Sequence, residues 1–120
     1  MTQAQNNKQY DLEERTLKFA KDVRAFIRQL NKNLANIEDS KQLIKSSGSV
    51  GANYIEANEA LSKKDFIMRI KISRKEAKES TYWLKLLHIN DIELEKIGDA
   101  LIKESIELTN VFGAILRKSQ

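Results

Sequence analysis

The sequence contains no cysteine, which removes disulfides, thiolate nucleophiles and cysteine metal ligands together. It contains no proline, so nothing forces a helix to kink or stop. Glycine is scarce, at four residues, and His88 and Trp83 are the only residues of their kinds. One histidine leaves little room for general-base or metal chemistry. The opening residues Met1–Gln9 are polar with no apolar h-region, so no secretory signal is expected. No apolar run approaches the ~18 residues of a membrane span. No membrane partner is expected, and a reducing cytoplasm suits the chain.

What remains is 41% hydrophobic and 32% charged, rich in Ala, Leu, Ile, Lys and Glu. That composition favours long uninterrupted helices in a soluble all-α protein, and 120 residues are enough for one domain with a real core. The formal net charge of +4 is unevenly placed. Residues 15–34 carry Arg15, Lys18, Lys21, Arg24, Arg28 and Lys32 against Asp22 alone. Residues 62–89 are similarly basic, whereas 36–60 and 90–118 are mildly acidic. Either neighbouring helices pair electrostatically or one face of an assembly is basic.

Helical periodicity divides the chain into a disordered tail at 1–10 and a four-helix bundle at 11–118, with helices at about 11–33, 36–60, 63–89 and 91–117. The first helix has the stripe Leu12, Phe19, Ala20, Val23, Phe26, Ile27, Leu30. The second starts at Asn36 as N-cap, with Ile37, Ile44, Gly48, Gly51 and Ile55 inward. Two mid-helix glycines each cost ~1 kcal/mol relative to Ala. Their setting among Ser47, Ser49 and Ala52 favours a close helix–helix approach over a break. The third helix starts after Ser62, with Asp65 as capping partner. Its seam Phe66, Ile70, Ser73, Ala77, Ser80, Leu84, Leu87 is bulky at the ends and small in the middle. That small middle is expected to meet Gly48 and Gly51. The fourth begins with Asn90 and Glu93 as a capping box, and its seam is Leu94, Ile97, Leu101, Glu104, Leu108, Val111, Ile115. Short connections make consecutive helices antiparallel, giving an up-down-up-down bundle.

The third helix is apolar on a second side. Opposite Ile70 fall Met68, Ile72, Glu79, Trp83 and Leu86, with Tyr82 at the edge. A lone bundle needs one apolar face per helix, so these residues are the candidate oligomer interface. Glu56 and Glu79 would then need pairing, with Arg24, Arg74 and Lys75 as available partners. Asn53, Glu56 and Glu76 are the candidate structural polar residues.

Catalytic chemistry is poorly supported, and no enzyme activity is expected. His88 falls in the last turn of the third helix, where the helix dipole favours a cation. Gly48-Ser-Val-Gly51 lacks the Lys-Ser/Thr and the preceding strand of a phosphate loop. Glu56-x-x-Glu59 and Glu76-x-x-Glu79 lack the histidines that complete a di-iron bundle site, so no metal and no cofactor is expected. The best functional lead is basic. Lys64, Lys71, Lys75, Lys78 and Lys85 share one sector of the third helix, and Lys18, Lys21, Arg28 and Lys32 form a row on the first. These are the candidate nucleic-acid contacts. With no aromatic interleaving and no groove-reading motif, binding to RNA or DNA would be driven by charge and not by base identity. The alternative is a solvated flank on a protein–protein interaction module with no nucleic-acid role.

Gly51-Ala-Asn-x-Ile-Glu-Ala57, Asp65-Phe66 and Lys75-Glu-Ala-x-Glu-x-x-Tyr-Trp-Leu84 closely resemble the bacterial four-helix-bundle family, also called the ribosomal RNA intervening-sequence protein family. The resemblance covers roughly residues 12–116. It departs where family members often read Gly or Ala soon after the Asn-x-x-Glu unit and this chain continues Ala57-Asn-Glu-Ala60. It implies an antiparallel four-helix protomer assembling into a barrel-like homopentamer, and the subunit number rests on it alone. The chain also looks like the accessory protein of diversity-generating retroelements, a basic pentamer that binds nucleic acid and a reverse transcriptase. Five copies would raise the formal charge to about +20, a far stronger long-range field than a monomer carries.

Overall fold

The computed structural model describes the backbone of residues 2–120 and the side chains of 11–120. Four helices make up the fold: α1 (Thr2–Arg28), α2 (Leu34–Asn58), α3 (Lys63–Leu86) and α4 (Ile92–Ser119). The backbone of α1 begins ahead of the expected start at Asp11. The tail assigned to residues 1–10 falls where side chains lie outside the described residues. Connectors at 29–33, 59–62 and 87–91 are too short for anything but reversal, so the helices alternate in direction. The molecule measures 46 × 26 × 19 Å. α1 neighbours α2 and α4, and α3 neighbours the same two, which puts α1 and α3 on one diagonal. Tyr54 of α2 and Phe112 of α4 meet edge-on across the other, with ring centroids 5.7 Å apart.

The helix ends follow from side-chain acceptors. Ser62 caps α3 by accepting from the Asp65 amide at 3.0 Å, as its sequence predicts. The other two caps differ from expectation. α2 is capped by Asn33, whose Oδ1 accepts from the Asn36 amide at 2.9 Å. α4 is capped by Asp91, which accepts from the Glu93 and Leu94 amides. The α2 cap falls three residues earlier than expected and the α4 cap one later, and each has the extended backbone that an N-cap requires.

Asn36 is thereby freed for a different task. It is buried, its Nδ2 donates to the carbonyls of Asn31 and His88, and its Oδ1 accepts from the His88 amide at 2.9 Å. One side chain therefore joins the α1–α2 connector to the α3–α4 connector. Asn31 adds a bond from Nδ2 to Asn90 Oδ1 at 3.1 Å. His88, expected in the last turn of α3, lies beyond it, because the helix stops at Leu86 and Leu87 is extended.

The α3 seam is buried as its spacing predicts, with only Phe66 at the rim partly exposed. Most of the α1 stripe is also buried, joined by Thr16, whose hydroxyl donates back to Leu12 O at 2.9 Å. α2 is turned from the expected orientation. Ile37, Ile44 and Ile55 are exposed at 40%, 36% and 50%, while Leu43, Ser46, Ser47, Val50, Tyr54 and Ala57 face inward. The reason is polar. Ser46 and Ser80 bond at 2.9 Å and Ser73 donates to Val50 O at 2.9 Å, so small hydroxyl residues seat α2 on α3. On α4, Leu101 and Leu108 are buried as expected. Ser105, Phe112 and Leu116 displace Ile97, Val111 and Ile115 from the centre of the seam.

The glycines do mark close approach in an unbroken α2, but toward α1 and not α3. A methyl group on Gly51 would sit 2.8 Å from Thr16 Oγ1, and one on Gly48 would sit 3.3 Å from Arg24 Nη2. Among the described residues no buried side-chain polar atom lacks a hydrogen-bond partner.

Candidate nucleic-acid interface

The nine basic candidates divide between two flanks. Lys18, Lys21 and Arg28 are exposed on α1 and Lys32 in the connector that follows it, not on the helix as expected; Lys64, Lys71, Lys75, Lys78 and Lys85 are exposed on α3. Because α1 and α3 are diagonal and both rows point outward, the rows do not form one surface. The α1 row is also partly spent within its own helix. Lys18 Nζ lies 2.5 Å from Asp22, and this bond raises the lysine's pKa.

The α3 row gains neighbours that the sequence reading did not include. Lys71, Lys75 and Lys78 line an open groove of about 490 Å³ with Arg74 of the same helix, with Gly113, Leu116 and Arg117 of α4, and with its C-cap Gln120. Arg117 is 43 positions from Arg74, and no periodicity within one helix reveals that pairing. Among the described residues, Lys71, Arg74, Lys78 and Arg117 have no carboxylate within 4.0 Å; Lys75 lies 3.7 Å from Glu76. Lys64 and Lys71 border a shallower groove floored by Ile67, Met68 and Ile72. Lys85 stands apart, in the last turn of α3.

The candidate oligomer face lies beside this row. Met68, Tyr82 and Leu86 are exposed at 46%, 59% and 47%. Glu79 is exposed, and Ile72 and Trp83 are half-buried. Trp83 packs on the core from outside and meets Tyr82 edge-on at 5.1 Å. Within the chain α3 is thus not the central helix, and its second apolar side is largely uncovered.

Within the single chain Glu56 and Glu79 are both exposed, Glu79 on the outer face of α3. Arg24 does not partner either one: it donates to Ala20 O and Ile44 O. The carboxylate held tightly is Glu104, which accepts two 2.7 Å bonds from Arg15 across the α1–α4 seam and raises the guanidinium's pKa. Glu76 is the half-buried one of its pair. Desolvation raises its pKa, nearby Glu79 adds to the rise, and Lys75 opposes it. Asn53 bridges α2 to α3, donating to Ser49 O and accepting from Arg69 Nη1 at 3.1 Å. Among the described residues no group of three or more His, Asp or Glu side chains converges as a metal site. No helix among them is long and apolar enough to cross a membrane.

Comparison with known proteins agrees with this architecture. The family model for the 23S rRNA-intervening sequence protein matches residues 8–114. A crystal structure of a protein of unknown function from the S23 ribosomal protein family of Bacteroides thetaiotaomicron superposes with a TM-score of 0.71. It is 31% identical in sequence, and the match covers 92% of this chain and 98% of that one. No curated protein matches the chain. Four antiparallel helices, the Asn53 bridge within the Gly51–Ala57 motif and these two matches agree: the chain belongs to the 23S rRNA-intervening sequence protein family.

Proposed function

We propose that this protein is a non-enzymatic scaffold that assembles through the outer face of α3 and binds RNA or DNA by phosphate contacts, without reading base identity. The observation that carries the reading is the α3–α4 groove, where Lys71, Arg74, Lys78 and Arg117 converge with no carboxylate beside them. Like charges held together attract polyanions, and their repulsion falls when a phosphate chain displaces small counterions. The uncovered Met68–Leu86 stripe supports self-assembly. The pentameric count follows from the family resemblance, as does a cytoplasmic setting from the composition.

A second reading has its own observation. Ile37, Ile44 and Ile55 form an exposed apolar stripe on α2 that no phosphate requires, and it favours a protein partner. Light scattering in low and high salt, with and without a mixed RNA and DNA pool, separates the two. A mass near five times 13.8 kDa that rises with nucleic acid only at low salt is the expected result. The same assembly with no shift favours the protein-binding module. Trp83→Ala is expected to dissociate the assembly; an oligomer unchanged by it would refute the α3 face as the interface.

A further inference from the structure

We propose that the α3–α4 groove holds a discrete phosphate-binding site, with Arg74 and Arg117 as its gripping residues and Lys71 and Lys78 as its charge reserve. This rests on the nucleic-acid reading for its physiological ligand, but the site is defined by its own geometry. Arg74 Nε lies 3.7 Å, and Arg117 Nη1 3.5 Å, from the point where a side chain on Gly113 would begin. Two guanidinium groups on different helices therefore converge on one bare stretch of backbone. Gly113 itself is buried and forms the floor. Lys71 and Lys78 stand along the wall.

Such convergence costs free energy unless something neutralises it. Like charges repel, and more strongly beside a protein surface than in bulk water. Among the described residues no carboxylate stands within 4.0 Å of either arginine. Arg15 differs: its Nε and Nη2 both donate to the Glu104 carboxylate, which neutralises its charge locally. Guanidinium forks match the spacing of phosphate oxygens, and two forks from different directions enclose a tetrahedral anion better than lysines, which act as point charges. One feature opposes an anion here. Gly113 and Arg117 lie in the last turns of α4, where the helix carries about half a negative charge. Two full positive charges at the site and two along its wall outweigh it.

The α1 row is spread along a helix surface and partly paired to Asp22, whereas the groove is concave and its arginines are unpaired among the described residues. A phosphate seated there fixes the position of a nucleic-acid backbone, and the α3 lysines beyond it extend the track. The same tetrahedral oxyanion is offered by free inorganic phosphate and by a phosphodiester, and the test distinguishes them.

The full chain and two variants are compared, Arg74→Gln/Arg117→Gln and the charge-matched Lys41→Gln/Lys96→Gln, whose lysines pair with Glu38 and Glu93 elsewhere. Thermal melts are run in inorganic phosphate and in chloride at equal ionic strength. A specific site raises Tm by mass action, beyond the general stabilising effect of phosphate that every variant shares. The expected result is a saturating extra gain in wild type and in the lysine variant that is absent from the arginine variant. An equal gain in all three overturns the site. Labelled single-stranded RNA is then titrated by anisotropy across salt concentrations. The arginine variant is expected to bind at least about tenfold more weakly, with a salt slope smaller by about 2. RNA binding no weaker than in the lysine variant overturns the site as an anchor while leaving the nucleic-acid reading intact. A phosphate gain lost only in the arginine variant, with no RNA bound by any version, keeps the site and overturns the nucleic-acid reading.

Discussion

The two seams that α2 and α4 make with their outer neighbours are built by opposite means. Between α2 and α3 the contact residues are small: Ser46, Ser73, Ala77 and Ser80 are buried, and the three serines bond to each other or to backbone. Between α1 and α4 they are large. Phe26 rests on Gly98, and Arg15 reaches Glu104 across the seam. A groove of about 510 Å³ remains between these helices, lined by Phe19, Phe26, Ile97 and Leu101 among others. Small residues let backbones approach and fix their distance by hydrogen bonds. Large ones fill volume and tolerate some separation. The α2–α3 pair is therefore the rigid half of the bundle, and α1–α4 the adjustable half.

The sharpest way to break this contrast is to enlarge the small seam. Ser73→Leu forces a bulky side chain against the Val50 carbonyl at a fully buried position, and a loss of about 3 kcal/mol is expected by chemical denaturation. A loss under 1 kcal/mol would mean that the seam is no tighter than its counterpart. The glycines of α2 give a second, signed test. Gly51→Ala places a methyl 2.8 Å from Thr16 Oγ1 and 3.1 Å from its Cβ, so the α1–α2 approach must open. The expected net cost is about 1–2 kcal/mol after the gain in helix propensity. Gly48→Ala meets only the flexible end of Arg24 and is expected to stabilise by up to about 1 kcal/mol. Equal effects at the two positions would contradict the packing described.

On the adjustable side, Arg15→Met is expected to cost about 1 kcal/mol or less, since both partners remain partly exposed at 37% and 28%, and less still in high salt. The smallest effect is electrostatic. The folded state raises the pKa of Glu76, mainly by desolvation, so folding favours its protonated form. Its charge therefore works against stability above the raised folded value, and that penalty disappears as pH falls below the ordinary glutamate range. Glu76→Gln is expected to raise Tm by a few degrees at most at pH 7, and by nothing near pH 3.5. A larger gain at low pH would reverse the assignment.

Much of this plan was legible in the sequence. The α3 seam could be read residue by residue, because seven positions at alternating spacings of four and three admit one inward face. Four helices with short reversals followed from the same periodicity. The α2 face was misread because hydrophobicity favours isoleucines, whereas Ser46 and Ser47 are buried by hydrogen bonds that hydropathy does not register. Asn36 looked like a cap because Asp39 follows it at capping-box spacing; only the folded chain brings His88 to it. The same limit hid the α3–α4 groove. Lysines on one helix can be grouped by angle, but Arg74 and Arg117 become neighbours only when α3 and α4 pack.

The Asn36 side chain has a kinetic consequence as well. It holds the His88 amide and carbonyl from a position 52 residues away, so neither reversal at that end can open alone without breaking bonds that belong to the other. In hydrogen-exchange terms, the His88 amide reports the simultaneous release of two loops and not the fraying of one. The end of the bundle that holds two of its three connectors is accordingly a single cooperative unit, and α1 and α4 can shift against each other only as arms hinged on it.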